Sequence, residues 1–131
     1  ETGIDRHGAS VVSVALDLAQ DVTGALSDRT ALVVGAGAMS SLSLQTLASR
    51  GVSDITVASR TTASTKRAAD LSGATPIGMD ELPGALQKAD VIVSATGANG
   101  VVITAEDIAT AMSGRPDRAL VVVDLAVPFV R

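Results

Sequence analysis

The sequence predicts an α/β domain built on a doubly wound parallel sheet with helices on both faces. Three observations indicate this fold: short apolar runs alternate with helical patterns, the apolar residues are mostly small or branched, and the first run enters a Gly-x-Gly turn that a helix follows. Hydrophobic residues make up 47% of the 131 residues, and Phe129 is the only aromatic. A core of Ala, Val and Leu is typical of parallel strands that are buried on both faces.

A leading helix is predicted ahead of the first strand. Apolar residues recur at helical spacing from Ser10 to Leu26, with Ser10 as the N-cap and Gly24 near the C-terminus. The apolar positions are Val11, Val14, Ala15, Leu18 and Val22. Residues 1–9 show no pattern and are interpreted as an incoming segment.

The remaining elements alternate between strands and helices. Strands are predicted at 32–34, 55–58, 75–78, 91–94 and 120–124. Helices are predicted at 39–50 with Gly51 closing the helix, at 62–71, from the stretch Asp80–Pro83 with Pro83 in the first turn, and from a Thr104 cap to about Met112. Right-handed crossovers between successive strands would build the doubly wound sheet. We therefore divide the chain into residues 1–27, a lead segment and linker helix from an upstream domain, and residues 28–131, the sheet domain.

Composition and charge argue against several classes of site. The net charge of -4 disfavours a nucleic-acid surface, because phosphate neutralisation needs clustered Lys and Arg. The chain contains no cysteine, so it has no thiolate nucleophile and no zinc–thiolate site. No apolar run approaches the ~20 residues that span a bilayer, and the polar start does not resemble a signal peptide, so a cytoplasmic location without a membrane partner is expected. His7, the single histidine, has no ligand cluster nearby, and no metal site is expected.

The turn after the first strand carries the strongest functional signal. Gly35 permits a tight turn, and Gly37 allows a pyrophosphate to approach bare backbone at a helix N-terminus. Ser40 stands where this fingerprint usually has a third glycine, and its small side chain still allows close packing of helix on strand. The pattern predicts a Rossmann-type dinucleotide site. The alternative is a turn that only packs a helix.

Residues after the second strand predict which dinucleotide binds. A site for NAD normally has a carboxylate here for the ribose 2′-hydroxyl, whereas this chain has Ser59, Arg60 and Thr61. A guanidinium flanked by hydroxyls suits a phosphate, which predicts NADP(H). The alternative is that Arg60 is an exposed residue at the start of a helix.

Two further strand ends face the same edge of the predicted sheet. Thr96 and Gly97 follow the fourth strand and are expected beside the ribose and nicotinamide, unless they form an ordinary glycine turn. Asp124 ends the last strand and is either a catalytic carboxylate or, in the interpretation we prefer, a structural cap of a neighbouring loop.

Taken together, these stretches resemble the NADPH-binding domain of glutamyl-tRNA reductase over nearly the whole chain. The matching stretches are Ser10–Ala19, Gly35–Ser40, Ala58–Thr61, Asp80–Pro83, Ala89–Gly97 and Val123–Pro128. The family usually has Asn where this chain has Ser59, and it continues with Pro-Arg-Asp where this chain has Phe129, Val130 and Arg131 after Pro128.

The resemblance implies an oxidoreductase that reduces glutamyl-tRNA to glutamate-1-semialdehyde in tetrapyrrole biosynthesis. In that family an N-terminal domain takes the glutamyl group from tRNA onto a cysteine, the NADPH domain delivers hydride, and a C-terminal helical domain dimerises the enzyme. This chain would be the middle domain, inactive alone, with no catalytic residue of its own. The residues expected to bind NADPH are Gly35, Ala36, Gly37, Ala38, Met39, Ser40, Ser59, Arg60, Thr61, Thr96 and Gly97.

Two alternatives stay open. The Gly loop and Arg60-Thr61 are shared with the cofactor half of shikimate dehydrogenase-like proteins, which rank second because they lack the long Ser- and Val-rich helix before the first strand. The chain could also be a nucleotide-sensing module that kept the fold without the hydride chemistry.

Overall fold

A computed structural model describes residues 2–35, 38–59, 70, 73–94, 105–114 and 120–124. The helices are α1 (Thr2–Thr23), α2 (Ala38–Ser49), α3 (Leu82–Lys88) and α4 (Ala105–Ser113). The strands are β1 (Thr30–Val34), β2 (Asp54–Ala58), β3 (Thr75–Ile77), β4 (Val91–Ser94) and β5 (Val121–Asp124). Two 3₁₀ turns lie at Leu26–Asp28 and Met79–Glu81.

The five strands form one parallel sheet in the order β3-β2-β1-β4-β5. β2 and β3 lie on one side of β1, and β4 and β5 lie on the other, so the chain crosses β1 between β3 and β4. This order confirms the predicted doubly wound architecture. The register aligns Val34 with Ala58 on one side and with Ser94 on the other, so the carboxyl ends of three strands meet at one edge.

Alternating side chains of the sheet enter two separate cores. In β1, Ala31 and Val33 pack under α1 and α2, whereas Leu32 and Val34 pack under α3 and α4. The first core includes Val12, Leu16 and Ala19 of α1 and Leu44 and Leu47 of α2. The second includes Leu82 and Leu86 of α3 and Ala111 of α4. Both faces of the sheet are therefore covered, which explains the uninterrupted apolar strands.

The leading helix is longer at its start and shorter at its end than the sequence predicts. It begins at Thr2, so the predicted N-cap at Ser10 was wrong, and residues 2–9, interpreted as an incoming segment, belong to the helix. Three of the apolar positions used for the prediction, Val14, Leu18 and Val22, are exposed, and the helix packs instead through Val12, Leu16 and Ala19. Extending an existing helix costs little, because each added residue gains a hydrogen bond. The helix ends at Thr23 and not at Leu26, because Gly24 adopts a φ of +86°.

Other boundaries differ from the predictions by one or two residues. β1 begins at Thr30, whose N–H donates to the carboxylate of Asp90 and whose hydroxyl donates to that of Asp54. α2 covers Ala38–Ser49, and Gly51 closes it with a φ of +88°. Strand β4 has the predicted bounds, and Pro83 lies in the first turn of α3 as predicted. The helix predicted at 62–71 falls, apart from Asp70, outside the described residues, as does the Thr104 cap.

The leading helix packs on the sheet domain. Its buried side chains share the first core with β1 and β2, and Arg50 at the end of α2 donates to Asp17 at 2.8 Å and to the Ser13 hydroxyl at 3.0 Å. Within the described part of the chain, no helix has the length and apolarity needed to cross a membrane.

Candidate cofactor site

The sheet order places the carboxyl ends of β1 and β4 side by side at the point where the strand order reverses. These two strands are neighbours, but the helix that follows β1 packs on one face of the sheet and the helix that follows β4 packs on the other. Ligands of open α/β sheets bind at such a point.

Gly35 is the first residue after β1 at this edge. It follows β1 directly, is buried, and has a φ of +130°, a conformation that residues with a Cβ rarely adopt. Its N–H donates to the carbonyl of Ala58 at 2.8 Å, which extends the pairing of β1 with β2 by one residue. The chain then turns within a few residues into α2, which begins at Ala38. This is the strand–turn–helix that the sequence predicts.

Ser40 lies in the first turn of α2 and contacts the glycine turn directly. Its side chain is 0% exposed, and its hydroxyl donates to the carbonyl of Gly35 at 2.9 Å. The sequence predicts only that a small residue fits here. The hydrogen bond was missed, although a hydroxyl one helical turn after a glycine turn is a signal that could have indicated it.

The end of β2 adjoins the glycine turn. Ser59 follows Ala58, the register partner of Val34, so Ser59 and Gly35 leave neighbouring strands side by side. Ser59 is 7% exposed. Arg60 and Thr61 lie outside the described residues, and their contact with a 2′-phosphate stays a prediction.

The end of β4 completes the edge. Ser94 is 7% exposed and is aligned with Val34 on one side and Asp124 on the other. Ser94 was not among the predicted site residues; its position at the end of a buried strand is the signal that could have indicated it. Asp124 ends β5 as predicted, and its role remains open between the two interpretations.

The remaining predicted site residues have no described side chains. Ala38 and Met39 open α2. The other four, Ala36, Gly37, Thr96 and Gly97, lie outside the described residues. The structure thus brings Gly35, Ser40 and Ser59 to one edge and adds Ser94 beside them.

Charge is distributed in a way that favours an anion at this edge. The first turn of α2 carries no acidic residue, so the partial positive charge of its N-terminus is not neutralised by its own side chains. The buried carboxylate of Asp90 lies at the opposite, amino edge, where it accepts from the N–H of Thr30 at 3.0 Å. Asp54 lies there too and accepts from the Thr30 hydroxyl at 3.0 Å.

A separate groove of about 650 Å³ lies on the sheet face beside α3. Its walls include Leu32, Thr56, Ile77, Ala85 and Lys88. It lies along the face of β1–β3 and does not include Gly35 or the carboxyl edge. In the described part of the chain, no group of three or more His, Asp or Glu side chains could hold a metal ion.

The sheet order and the turn at Gly35 define a Rossmann-type α/β domain, and comparison with known proteins specifies its family. The chain belongs to the family described as shikimate / quinate 5-dehydrogenase, whose model matches residues 17–130. Within this family, nearly the whole chain is similar to glutamyl-tRNA reductase. The enzyme of Corynebacterium urealyticum is 46% identical over 98% of this chain.

Solved structures agree with this assignment. Glutamyl-tRNA reductase from Methanopyrus kandleri superposes with a TM-score of 0.77 at 37% identity, covering 86% of this chain and 28% of that chain. A shikimate 5-dehydrogenase from Mycobacterium fortuitum superposes with a TM-score of 0.54 at 31% identity, covering 71% of this chain and 38% of that chain. The chain spans 28% of the length of the Corynebacterium protein.

The extent of the matches favours the first interpretation over the shikimate dehydrogenase alternative. The family model starts at residue 17, inside α1, and leaves most of that helix out. The match with the Corynebacterium reductase covers 98% of the chain and therefore includes α1 almost entirely. The predicted resemblance to glutamyl-tRNA reductase is confirmed.

Proposed function

We propose that this chain is the NADPH-binding domain of a glutamyl-tRNA reductase. In this role it supplies hydride for the reduction of glutamyl-tRNA to glutamate-1-semialdehyde in tetrapyrrole biosynthesis. The observation that carries the proposal is the turn at Gly35, which joins β1 to α2 at the point where the sheet order reverses, with Ser40 bonded to its carbonyl at 2.9 Å.

The pyrophosphate of the cofactor would rest on the segment from Gly35 to Ser40. Gly35 has no Cβ and a φ of +130°, so backbone is bared where a phosphate would approach, and the N-terminus of α2 attracts negative charge. Thr96 and Gly97 follow β4 and would contact the ribose and nicotinamide. Bound NADPH carries a transferable hydride on its nicotinamide ring.

The residues after β2 support NADPH over NADH. Ser59 leaves β2 beside Gly35, and Arg60 and Thr61 come next in the sequence. An acidic side chain at this point would repel a 2′-phosphate, and none of these three residues is acidic. A guanidinium and two hydroxyls are the groups that bind phosphate through charge-assisted hydrogen bonds.

The acyl acceptor and the dimer contacts would come from other domains. In the family that this chain resembles, a cysteine in an N-terminal domain carries the glutamyl group, and a C-terminal helical domain forms the dimer. These 131 residues contain no cysteine, and they match 28% of the Corynebacterium reductase. We therefore propose that glutamyl-tRNA and the second subunit are partners of the longer protein.

A chimeric enzyme tests this function. The matching segment of the Corynebacterium reductase is replaced by this chain, and the absorbance of the reduced nicotinamide is followed with glutamyl-tRNA. We expect NADPH oxidation by the chimera and none by the isolated chain, because hydride transfer needs the acyl group positioned ~3–3.5 Å from the donor.

The control is Gly37→Val in the same chimera. The branched side chain should block the pyrophosphate, so NADPH binding and oxidation are lost while circular dichroism stays unchanged. A chimera that is folded, binds NADPH and carries the glutamyl thioester on its cysteine, yet transfers no hydride, would show that the proposed function is wrong.

A further inference from the structure

We infer that Ser40 is a positioning residue that fixes the turn after β1 in the conformation required by the pyrophosphate. This inference rests on the proposed NADPH site and assigns to Ser40 a role different from direct cofactor binding. Its hydroxyl is turned toward the protein, because it donates to the carbonyl of Gly35 at 2.9 Å and the side chain is 0% exposed.

The two polar groups of Gly35 are held by two different elements. Its N–H donates to Ala58 on β2 at 2.8 Å, and its carbonyl accepts from Ser40 on α2. Glycine has more backbone freedom than any other residue, so a φ of +130° is not maintained by its own sterics. The two hydrogen bonds fix the peptide groups on either side of Gly35 and thereby set the direction in which the turn begins.

The bond also joins the two ends of the glycine turn. Residues 35 and 40 flank the segment Ala36–Met39 that would receive the phosphates, and the bond ties the strand end to the first turn of the helix. Without it, the turn would populate more conformations in the free protein. The apparent dissociation constant of a ligand rises in inverse proportion to the fraction of protein that is competent to bind.

Serine therefore does something at this position that glycine does not. A third glycine in the fingerprint allows close packing of the helix on the strand. Ser40 is small enough to be fully buried in the same place and also supplies a hydrogen-bond donor.

The experiment compares Ser40→Ala and Ser40→Gly with the unmutated 131-residue chain, using NADPH and NADH as separate probes in calorimetric titrations. We expect both variants to raise the dissociation constants of both cofactors by the same factor, roughly three- to tenfold, if the competent fraction falls to between about a third and a tenth. The ratio between the two cofactors should not change, because both carry the pyrophosphate. Circular dichroism measures the folded fraction separately, so weaker binding by the folded protein is distinguished from a loss of fold.

Thr46→Val is the matched control. Thr46 lies on the same helix, and its hydroxyl donates to the carbonyl of Leu42 at 2.8 Å, within the helix and away from the turn. This variant removes a hydroxyl–carbonyl bond of similar length and should leave both affinities unchanged.

Each other outcome has a distinct meaning. Unchanged affinities in both Ser40 variants, or in Ser40→Gly alone, would overturn the inference, because small size would then suffice. Weakened NADPH with unchanged NADH would also overturn it, since Ser40 would then act on the 2′-phosphate. If the unmutated chain binds neither cofactor, the proposed function fails first and the inference falls with it.

Discussion

Gly35 and Ser40 show how much of this site depends on single backbone and side-chain atoms. Gly35 provides a backbone conformation that a Cβ would strain, and Ser40 provides a buried donor for the carbonyl of Gly35. Ser59 and Ser94 stand on either side, both buried at strand ends. The described part of this edge is thus lined by a glycine and three serines, all of them buried.

The sequence predicted some of these roles and not others. The role of Gly35 followed from sequence, because only glycine tolerates the required φ and because a strand and a helix flank it. The bond from Ser40 could not be predicted in the same way, since it depends on where the carbonyl of Gly35 points after the turn. Ser94 was missed because its place beside the end of β1 depends on the pairing of β4 with β1, two strands that are distant in the sequence.

Arg60→Ala tests the phosphate assignment at one residue. The guanidinium is expected to interact with the 2′-phosphate, which NADH lacks. The variant should therefore lose most of the preference for NADPH and leave the NADH dissociation constant nearly unchanged, as titration of both cofactors will show. Arg29→Ala is the control, because Arg29 is exposed just before β1, at the opposite edge of the sheet, and carries the same charge. A full preference retained in Arg60→Ala would refute the assignment.

Among the secondary-structure elements, α1 departs most from its prediction. Its apolar positions indicated a helix, and Gly24 indicated where it ends, because both signals are local in sequence. Its first turns carry no apolar pattern, so nothing local marks them as helical. Which face is buried also depends on packing: Leu16 is 0% exposed against the sheet, whereas Leu18, two residues on, is 63% exposed.

Leu16→Ala tests whether α1 is part of the folded domain or only a lead segment. Removing a fully buried leucine leaves a cavity in the core shared with β1 and α2, and the free energy of unfolding should fall by about 2–5 kcal/mol in urea denaturation. Leu18→Ala is the same substitution on the exposed side of the same helix and should change stability by less than about 0.5 kcal/mol. Equal small effects of both substitutions would mean that α1 does not contribute to the stability of the domain.

In the molecule as a whole, the hydrogen bonds around Asp90 and the candidate cofactor site lie at opposite edges of the sheet. At the amino edge, Asp90 joins three strands: its N–H donates to Thr30 at 2.8 Å, its carboxylate accepts from Thr30 at 3.0 Å, and its carbonyl accepts from Val121 at 3.0 Å. At the carboxyl edge, the helices that follow β1 and β4 pack on opposite faces of the sheet. This arrangement holds the strands together away from the site.

The class of fold was predictable, and the exact strand order was only partly so. Alternating strands and helices with right-handed crossovers indicate a doubly wound sheet. The strand order reverses because β4 pairs with β1 on the side opposite β2. That pairing is decided by packing between residues that are distant in the sequence. The identification of the site followed once that reversal placed β1 and β4 side by side.

Titration of the unmutated chain with NADPH and with NADH tests the central conclusion most directly. Hydrogen bonds to a charged group contribute ~1.5–3 kcal/mol, which corresponds to roughly ten- to a hundred-fold in affinity. If the domain binds NADPH through the glycine turn and the residues after β2, NADPH should bind more tightly than NADH by that factor. Equal affinities would contradict the 2′-phosphate assignment, and absence of binding by either cofactor would contradict the nucleotide site itself.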